Sequence, residues 1–177
     1  MAARLSYELS CARLRELGLL DRDSIAPMPE QLPRYDDEEP LGFSIFRACR
    51  ADGLDLSDLS LPRTFFGRAE INGVSFCNTD LRESNMCWND FVRTDFTGAD
   101  LAHCDMRAAL FKQVIFVEAN LRGADLRHSS FIDCSFIRAS MKGVALTREQ
   151  ADALPLSETQ RREIDWVDDS GTEPGGG

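Results

Sequence analysis

Residues 94–128 read, in blocks of five, TDFTG ADLAH CDMRA ALFKQ VIFVE ANLRG ADLRH. The third residue of every block is large and apolar, the first is usually small, and the second is most often Asp or Asn. The same count extends outward in both directions. Leu56, Leu61, Phe66, Ile71, Phe76, Leu81, Met86 and Phe91 precede the stretch, and Phe131, Phe136, Met141 and Leu146 follow it, so nineteen successive centres from 56 to 146 are apolar. A helix repeats every 3.6 residues and a strand every 2, so a strict period of five fits neither. The chain has to turn a corner in each block.

Taken in steps of twenty, the centres sort by type. Phe76, Phe96, Phe116 and Phe136 form one column, and Phe91, Phe111 and Phe131 a second. Leu81, Leu101, Leu121 and Met141 form a third, and Met86, Met106, Leu126 and Leu146 a fourth. Like falls on like when one turn holds four blocks. At an inter-strand spacing of about 4.8 Å these residues make a rod roughly 22 Å long. Leu41, Phe46 and Ala51 continue the count backwards, with Ser44 and Cys49 in the small slots, and suggest a looser first coil.

Ala99-Asp100-Leu101, Ala119-Asn120-Leu121 and Ala124-Asp125-Leu126 resemble the consensus of the pentapeptide-repeat family, over about residues 54–146. The resemblance implies an all-β fold, a right-handed quadrilateral β-helix with the centre and the small residue inside. A solenoid exposes its first and last rungs, so caps are expected. Residues 3–17 predict a helix stopped at Gly18, and SIAPMPEQLPRYDDEEP (24–40) an extended, acidic, proline-rich arm. Thr147–Gln150 and Ser157–Gln160 match the capping-box pattern and predict two short helices. The expected organisation is an N-terminal cap helix and arm (1–40), the repeat β-helix (41–146, degenerate over 41–53), C-terminal cap helices (147–167) and a disordered tail (168–177).

The 177 residues carry a net charge of −10, which argues against general nucleic-acid binding. No apolar run is long enough for a membrane helix, and the first twenty residues do not read as a secretory signal. Six cysteines without a paired spacing point to free thiols and a reducing, cytoplasmic setting. The acidity sits at the ends. Residues 54–146 hold 10 basic and 12 acidic groups, whereas 147–177 hold 3 and 8.

That distribution bears on function. The best-known members of the family resemble a DNA duplex and shield gyrase or topoisomerase IV from inhibitors, which requires a dense row of negative charge. Here Arg82, Arg107, Arg122, Arg127 and Lys142 are interleaved with Asp80, Asp100, Asp105 and Asp125. Apolar residues at outward block positions are more telling. Val92, Leu110, Ile115, Val117, Ile132 and Ile137 fall on two neighbouring faces, as a patch that is either covered by the terminal helices or an interface. Trp88 is also outward, one coil after Arg68, which is placed to stack on its ring. Asn89 next to it occupies a slot that is otherwise small, which reads either as a local bulge with Trp88 packed under the proline-rich arm or as Trp88 serving as a binding anchor.

His103 and His128 lie on different faces and coils, without partners at metal or nucleophile spacing. No catalytic residue, metal or cofactor is expected. The sequence predicts a non-enzymatic scaffold that binds, and blocks or protects, a protein partner. Arg68, Trp88, Arg107 and Arg127 are its candidate contacts, and a homodimer is a further option. The alternatives are a DNA-mimicking gyrase-binding protein that confers resistance to inhibitors, and a plain structural or assembly module.

Overall fold

The computed structural model describes residues 3–19, 44–45, 50–66 and 68–167. The predicted proline-rich arm and the C-terminal tail lie outside the described residues. The described chain winds into a parallel β-solenoid of about six turns, the right-handed quadrilateral β-helix, with a few short helices at its ends. Strands are two or three residues long because every block ends in a corner. One face forms a continuous sheet. Strands β2 (Arg50–Asp52), β4 (Glu70–Asn72), β5 (Asp90–Val92), β6 (Leu110–Lys112) and β7 (Ser130–Ile132) lie side by side in that order, all parallel. Ile71 pairs with Phe91 and Phe91 with Phe111, each twenty residues on. The other three faces are single bridges at the same interval, such as Ser75 to Asp95, Asp80 to Asp100 and Asn85 to Asp105.

Blocks of the middle coils, such as 99–103 and 104–108, donate one backbone bond to the coil before and two to the coil after. The Asp100 N–H donates to the Thr79 carbonyl at 2.9 Å, and the Leu101 N–H to the Asn120 carbonyl at 2.8 Å. All nineteen centres point inward, and apart from Phe131 all are buried. The phenylalanine columns stack as the sequence predicts. Phe76, Phe96 and Phe116 lie 5.2 and 5.4 Å apart between centroids and within 7° of parallel. Phe91 and Phe111 do the same at 5.2 Å. Across the core the two columns meet edge to face, for example Phe91 on Phe96 at 5.6 Å. Both arrangements are the ones the aromatic quadrupole favours.

The corners explain the pattern of outward residues. Two positions after each centre from Leu56 to Met141 the backbone is left-handed, and fourteen non-glycine residues from Asp58 to Arg138 hold φ between 49° and 62° there. The Asp or Asn before the centre braces the turn by accepting the backbone N–H two residues on. Asp95 takes that of Thr97 at 2.8 Å, and Asp105 that of Arg107 at 3.2 Å. This is why the second block position favours those two residues.

The first coil departs from the count. In β1 (Ser44–Ile45), Ile45 pairs with Phe66 of β3 (Phe65–Phe66), and Ser44 with Phe65. Ile45 is thus in register with a centre, and Ser44 stands before it rather than in the small slot, while Leu41, Phe46 and Cys49 lie outside the described residues. Ala51 is in register with Ile71, so six residues, not five, separate Ile45 from Ala51. A period count cannot see one inserted residue.

Helix α1 (Tyr7–Glu16) closes the N-terminal end, shorter than the 3–17 predicted. It buries Cys11 and Leu14 against the core, and its Ser10 hydroxyl accepts the Ser60 N–H at 2.8 Å in place of a missing rung. At the other end α2 (Arg148–Asp152) and α3 (Glu158–Glu163) begin with the two capping boxes the sequence predicts. The same glutamines also serve the solenoid. The Gln150 amide donates to the carbonyls of Leu126 and Ser129 (3.0 and 2.8 Å), and that of Gln160 to Phe136 and Ala139 (2.7 and 3.0 Å). The chain then re-enters the ladder. Strand β9 (Asp165–Trp166) pairs with β8 (Ala145–Leu146), Leu146 against Trp166, again twenty residues on.

Candidate protein-binding surfaces

The four sides of the rod differ in chemistry. Two adjoining sides carry arginine–aspartate pairs. Arg82 grips Asp80 through two bonds of 2.8 and 2.7 Å, Arg107 grips Asp105 at 2.9 and 2.7 Å, and Arg127 holds Asp125 at 2.9 and 2.6 Å. Two of the arginines also approach the next aspartate along the rod, Arg82 to Asp100 at 3.6 Å and Arg107 to Asp125 at 3.8 Å. Burial would raise the Asp80 carboxyl, but the Arg82 bonds outweigh it and hold the group below the usual carboxylate range. The side-chain bonds from Asp80 and Asp105 push the guanidinium groups of Arg82 and Arg107 up. Arg107 and Arg127, candidates for partner contact, are thus occupied by aspartates of their own blocks.

The other two sides carry the apolar patch. Ile115, Ile132 and Ile137 are 40%, 45% and 61% exposed, and Val92, Leu110 and Val117 are partly buried beside them. Leu5, just before helix α1, donates its N–H to the Asp58 carbonyl, Ser10 of α1 accepts the Ser60 N–H, and the glutamines of α2 and α3 donate to the last-rung carbonyls. The helices cap the ends of the rod and leave these three isoleucines open. Cover by α1, α2 or α3, one of the two expectations for this patch, is therefore not how the chain folds.

Trp88 stands at a corner, 64% exposed, with Arg68 exposed at the equivalent corner one coil earlier. Among the described residues the guanidinium that lies over an indole is Arg148, 4.8 Å above Trp166, and not Arg68 on Trp88. Asn89 is fully buried and makes no bulge, because β5 beside it pairs in register on both edges. Its amide accepts the Ala69 N–H at 2.6 Å and donates to the carbonyls of Phe66 and Cys87 at 2.6 and 2.9 Å. Thr79 and Ser129 do the same work more simply, each donating at 2.6 Å to a carbonyl 23 residues back. Polarity in the small slot is therefore a tie between coils.

One feature escaped the reading by fives. Arg148, Asp152, Glu158, Arg161, Arg162 and Trp166 line a cleft of about 590 Å³ at the C-terminal end. The signal was present, since a further step of twenty from Leu146 lands on Trp166. The helices between them hid the continuation. Among the described residues no helix is long and apolar enough to cross a membrane, and no group of His, Cys, Asp or Glu is arranged to hold a metal ion.

A rod of stacked five-residue blocks with a ladder every twenty residues defines a class of repeat protein. The family model for pentapeptide repeats matches eight copies, over residues 69–107, 90–113 and 115–148. Over residues 69–148 the chain is a run of repeats of the pentapeptide-repeat family. Solved structures similar to it include HetL, a pentapeptide repeat protein involved in heterocyst differentiation regulation in the cyanobacterium Nostoc sp. strain PCC 7120. That match has 15% identity and a TM-score of 0.40, and covers 59% of this chain and 60% of HetL. The chain thus matches less than two thirds of HetL's length. Rfr23 from the cyanobacterium Cyanothece 51142 is similar at 18% identity and TM-score 0.41, over 59% of this chain and 77% of that one. A thylakoid-lumen pentapeptide repeat protein of Arabidopsis thaliana is similar at 25% identity and TM-score 0.35, over 71% and 83%. No curated protein matches the chain.

Proposed function

We propose that this chain is a non-enzymatic scaffold that docks a protein partner on the two sides of the rod bearing Ile115, Ile132 and Ile137. One observation carries the reading. These isoleucines stand open on adjoining faces of a rod whose other two sides are polar and ion-paired. Clustered exposed apolar residues mark interaction surfaces. The hydrogen-bonded ladder holds them in place before any partner arrives, so little ordering entropy is lost on docking. A role in blocking or protecting the partner, in the cytoplasm, fits such a rigid surface.

Duplex imitation is the weaker alternative. It needs uncompensated negative charge along the rod, and the aspartates here are gripped by Arg82, Arg107 and Arg127. The purified chain is expected neither to inhibit gyrase supercoiling nor to relieve its inhibition by a fluoroquinolone at stoichiometric amounts. Either effect would reverse the preference.

The direct test is Ile137→Asp. Because the side chain is 61% exposed, the melting temperature should move little, while affinity for the captured partner falls by about 2 kcal/mol or more. Sedimentation of the same variant tells a heterologous partner from a second copy. Retained binding with unchanged stability would remove this surface from consideration.

A further inference from the structure

The C-terminal end of the rod carries a second feature, independent of the lateral patch. The three basic groups of residues 147–177, Arg148, Arg161 and Arg162, all line the end cleft, in a segment that is otherwise acidic. Their ion pairs are long. Arg162 reaches Glu158 at 3.4 Å with both side chains largely exposed, and Arg161, whose Nη2 donates to the Ala151 and Leu154 carbonyls at 3.0 and 3.2 Å, reaches Asp152 through Nη1 at 3.6 Å. Along the sides of the rod the corresponding contacts are 2.6–2.7 Å. Arg148 has no carboxylate partner among the described residues, and its guanidinium carbon lies over the Trp166 ring instead.

Trp166 also ends the ladder. In β9 the N–H groups of Asp165 and Val167 donate back to Val144 and Leu146, at 2.9 and 3.2 Å. Alternation along a strand therefore turns the N–H and C=O of Trp166 to the opposite edge. In the coils below, the equivalent centre donates to the next rung, as Leu126 does to the Ala145 carbonyl at 3.0 Å. Among the described residues β9 pairs with β8 alone, and no further strand lies along its outer edge. Outer edge and arginine cleft meet at Trp166.

We propose that this end binds an extended acidic peptide segment of a partner protein. The segment adds as the next rung on β9, with its carboxylates on Arg148, Arg161 and Arg162. Backbone pairing supplies a generic strand-addition grip, and the arginines select for acidic side chains. Exchange of the long, exposed Arg162–Glu158 contact for a ligand carboxylate costs little, because exposed pairs contribute little, and the Ala151 and Leu154 carbonyls hold Arg161 in place for the ligand. An open groove lined by charged groups suits an extended chain better than a small enclosed molecule.

The test uses the full chain carrying Trp88→Phe, so that Trp166 is the sole indole, and a blocked hexapeptide alternating glutamate and valine. Fluorescence titration should show saturable binding that weakens with salt. Binding should weaken by about thirtyfold, the interface hot-spot scale, in Arg148→Gln, and also fall in Arg162→Gln. The same hexapeptide with N-methylated backbone keeps its charges but cannot pair, and should bind at least as weakly. Equal binding of a lysine–valine hexapeptide or of the N-methylated peptide would overturn the proposal. So would displacement by inorganic phosphate at equal concentration, which would mark a simple anion site. Unchanged affinity in Arg148→Gln, with melting unaltered, would also exclude it.

Discussion

At the scale of single residues, the small inward slot decides more than its size suggests. Asn89 serves two coils at once, and Asn89→Ala would orphan the buried Ala69 N–H and remove one of the donors to the Phe66 carbonyl, which the Arg68 N–H also reaches at 3.1 Å. We expect a loss of about 1–3 kcal/mol in chemical denaturation, from a side chain that touches no surface. The cysteines give a second check. Cys11, Cys77, Cys87, Cys104 and Cys134 are free, and burial pushes each thiol up, most of all Cys104. Native alkylation at neutral pH should leave Cys11, Cys104 and Cys134 unmodified, and mass measurement should show no disulfide among these five. Asp80 sets an acid limit. Its folded-state pKa lies below the unfolded value, so the Arg82 pair stabilises fully above about pH 4 and the contribution is lost as pH falls further. Asp80→Asn should flatten that part of the melting-temperature profile, while the loss near neutral pH stays within about 1 kcal/mol.

At the scale of elements, the capping boxes have two functions in one side chain. In an ordinary box the glutamine at the third helical position returns to the N-cap backbone. Gln150 and Gln160 do so through Oε1, and spend Nε2 on the carbonyls of the last full coil. Gln150→Glu keeps the box acceptor but removes the donor to Leu126 and Ser129. It should therefore cost about 1–3 kcal/mol and speed amide exchange in the final coil, whereas a substitution affecting the helix alone would leave that exchange unchanged. The result tells whether α2 acts as a helix or as a substitute rung.

At the scale of the whole molecule, the stacked columns make the rod one cooperative unit. Phe96 sits mid-column between Phe76 and Phe116 and meets Phe91 edge-on. Phe96→Ala should cost about 3–5 kcal/mol by equilibrium unfolding, more than any surface change discussed above. Far-UV circular dichroism should be dominated by β-type signal, with a minor helical part from α1, α2 and α3. In the proposed reading the open isoleucines serve as the lateral surface and the outer edge of β9 as the end, while the ion-paired faces serve neither.

The repeat was legible in the sequence because it is local: a centre every five residues fixes which side chains go inside, and like residues every twenty fix the number of blocks in a turn. The six-residue step between Ile45 and Ala51 was not legible, since an inserted residue looks like any other until pairing fixes the register. Nor was the fate of Asn89, Arg107 and Arg127, whose partners are chosen by geometry between or within coils and not by residue type. The destination of the terminal helices was decided only in three dimensions. Their sequences specify caps and apolar faces, but the unsatisfied N–H and C=O groups at the two ends of the ladder drew them there. Exposed backbone that can be hydrogen-bonded outweighs an apolar patch that water can tolerate, so Ile115, Ile132 and Ile137 stay open.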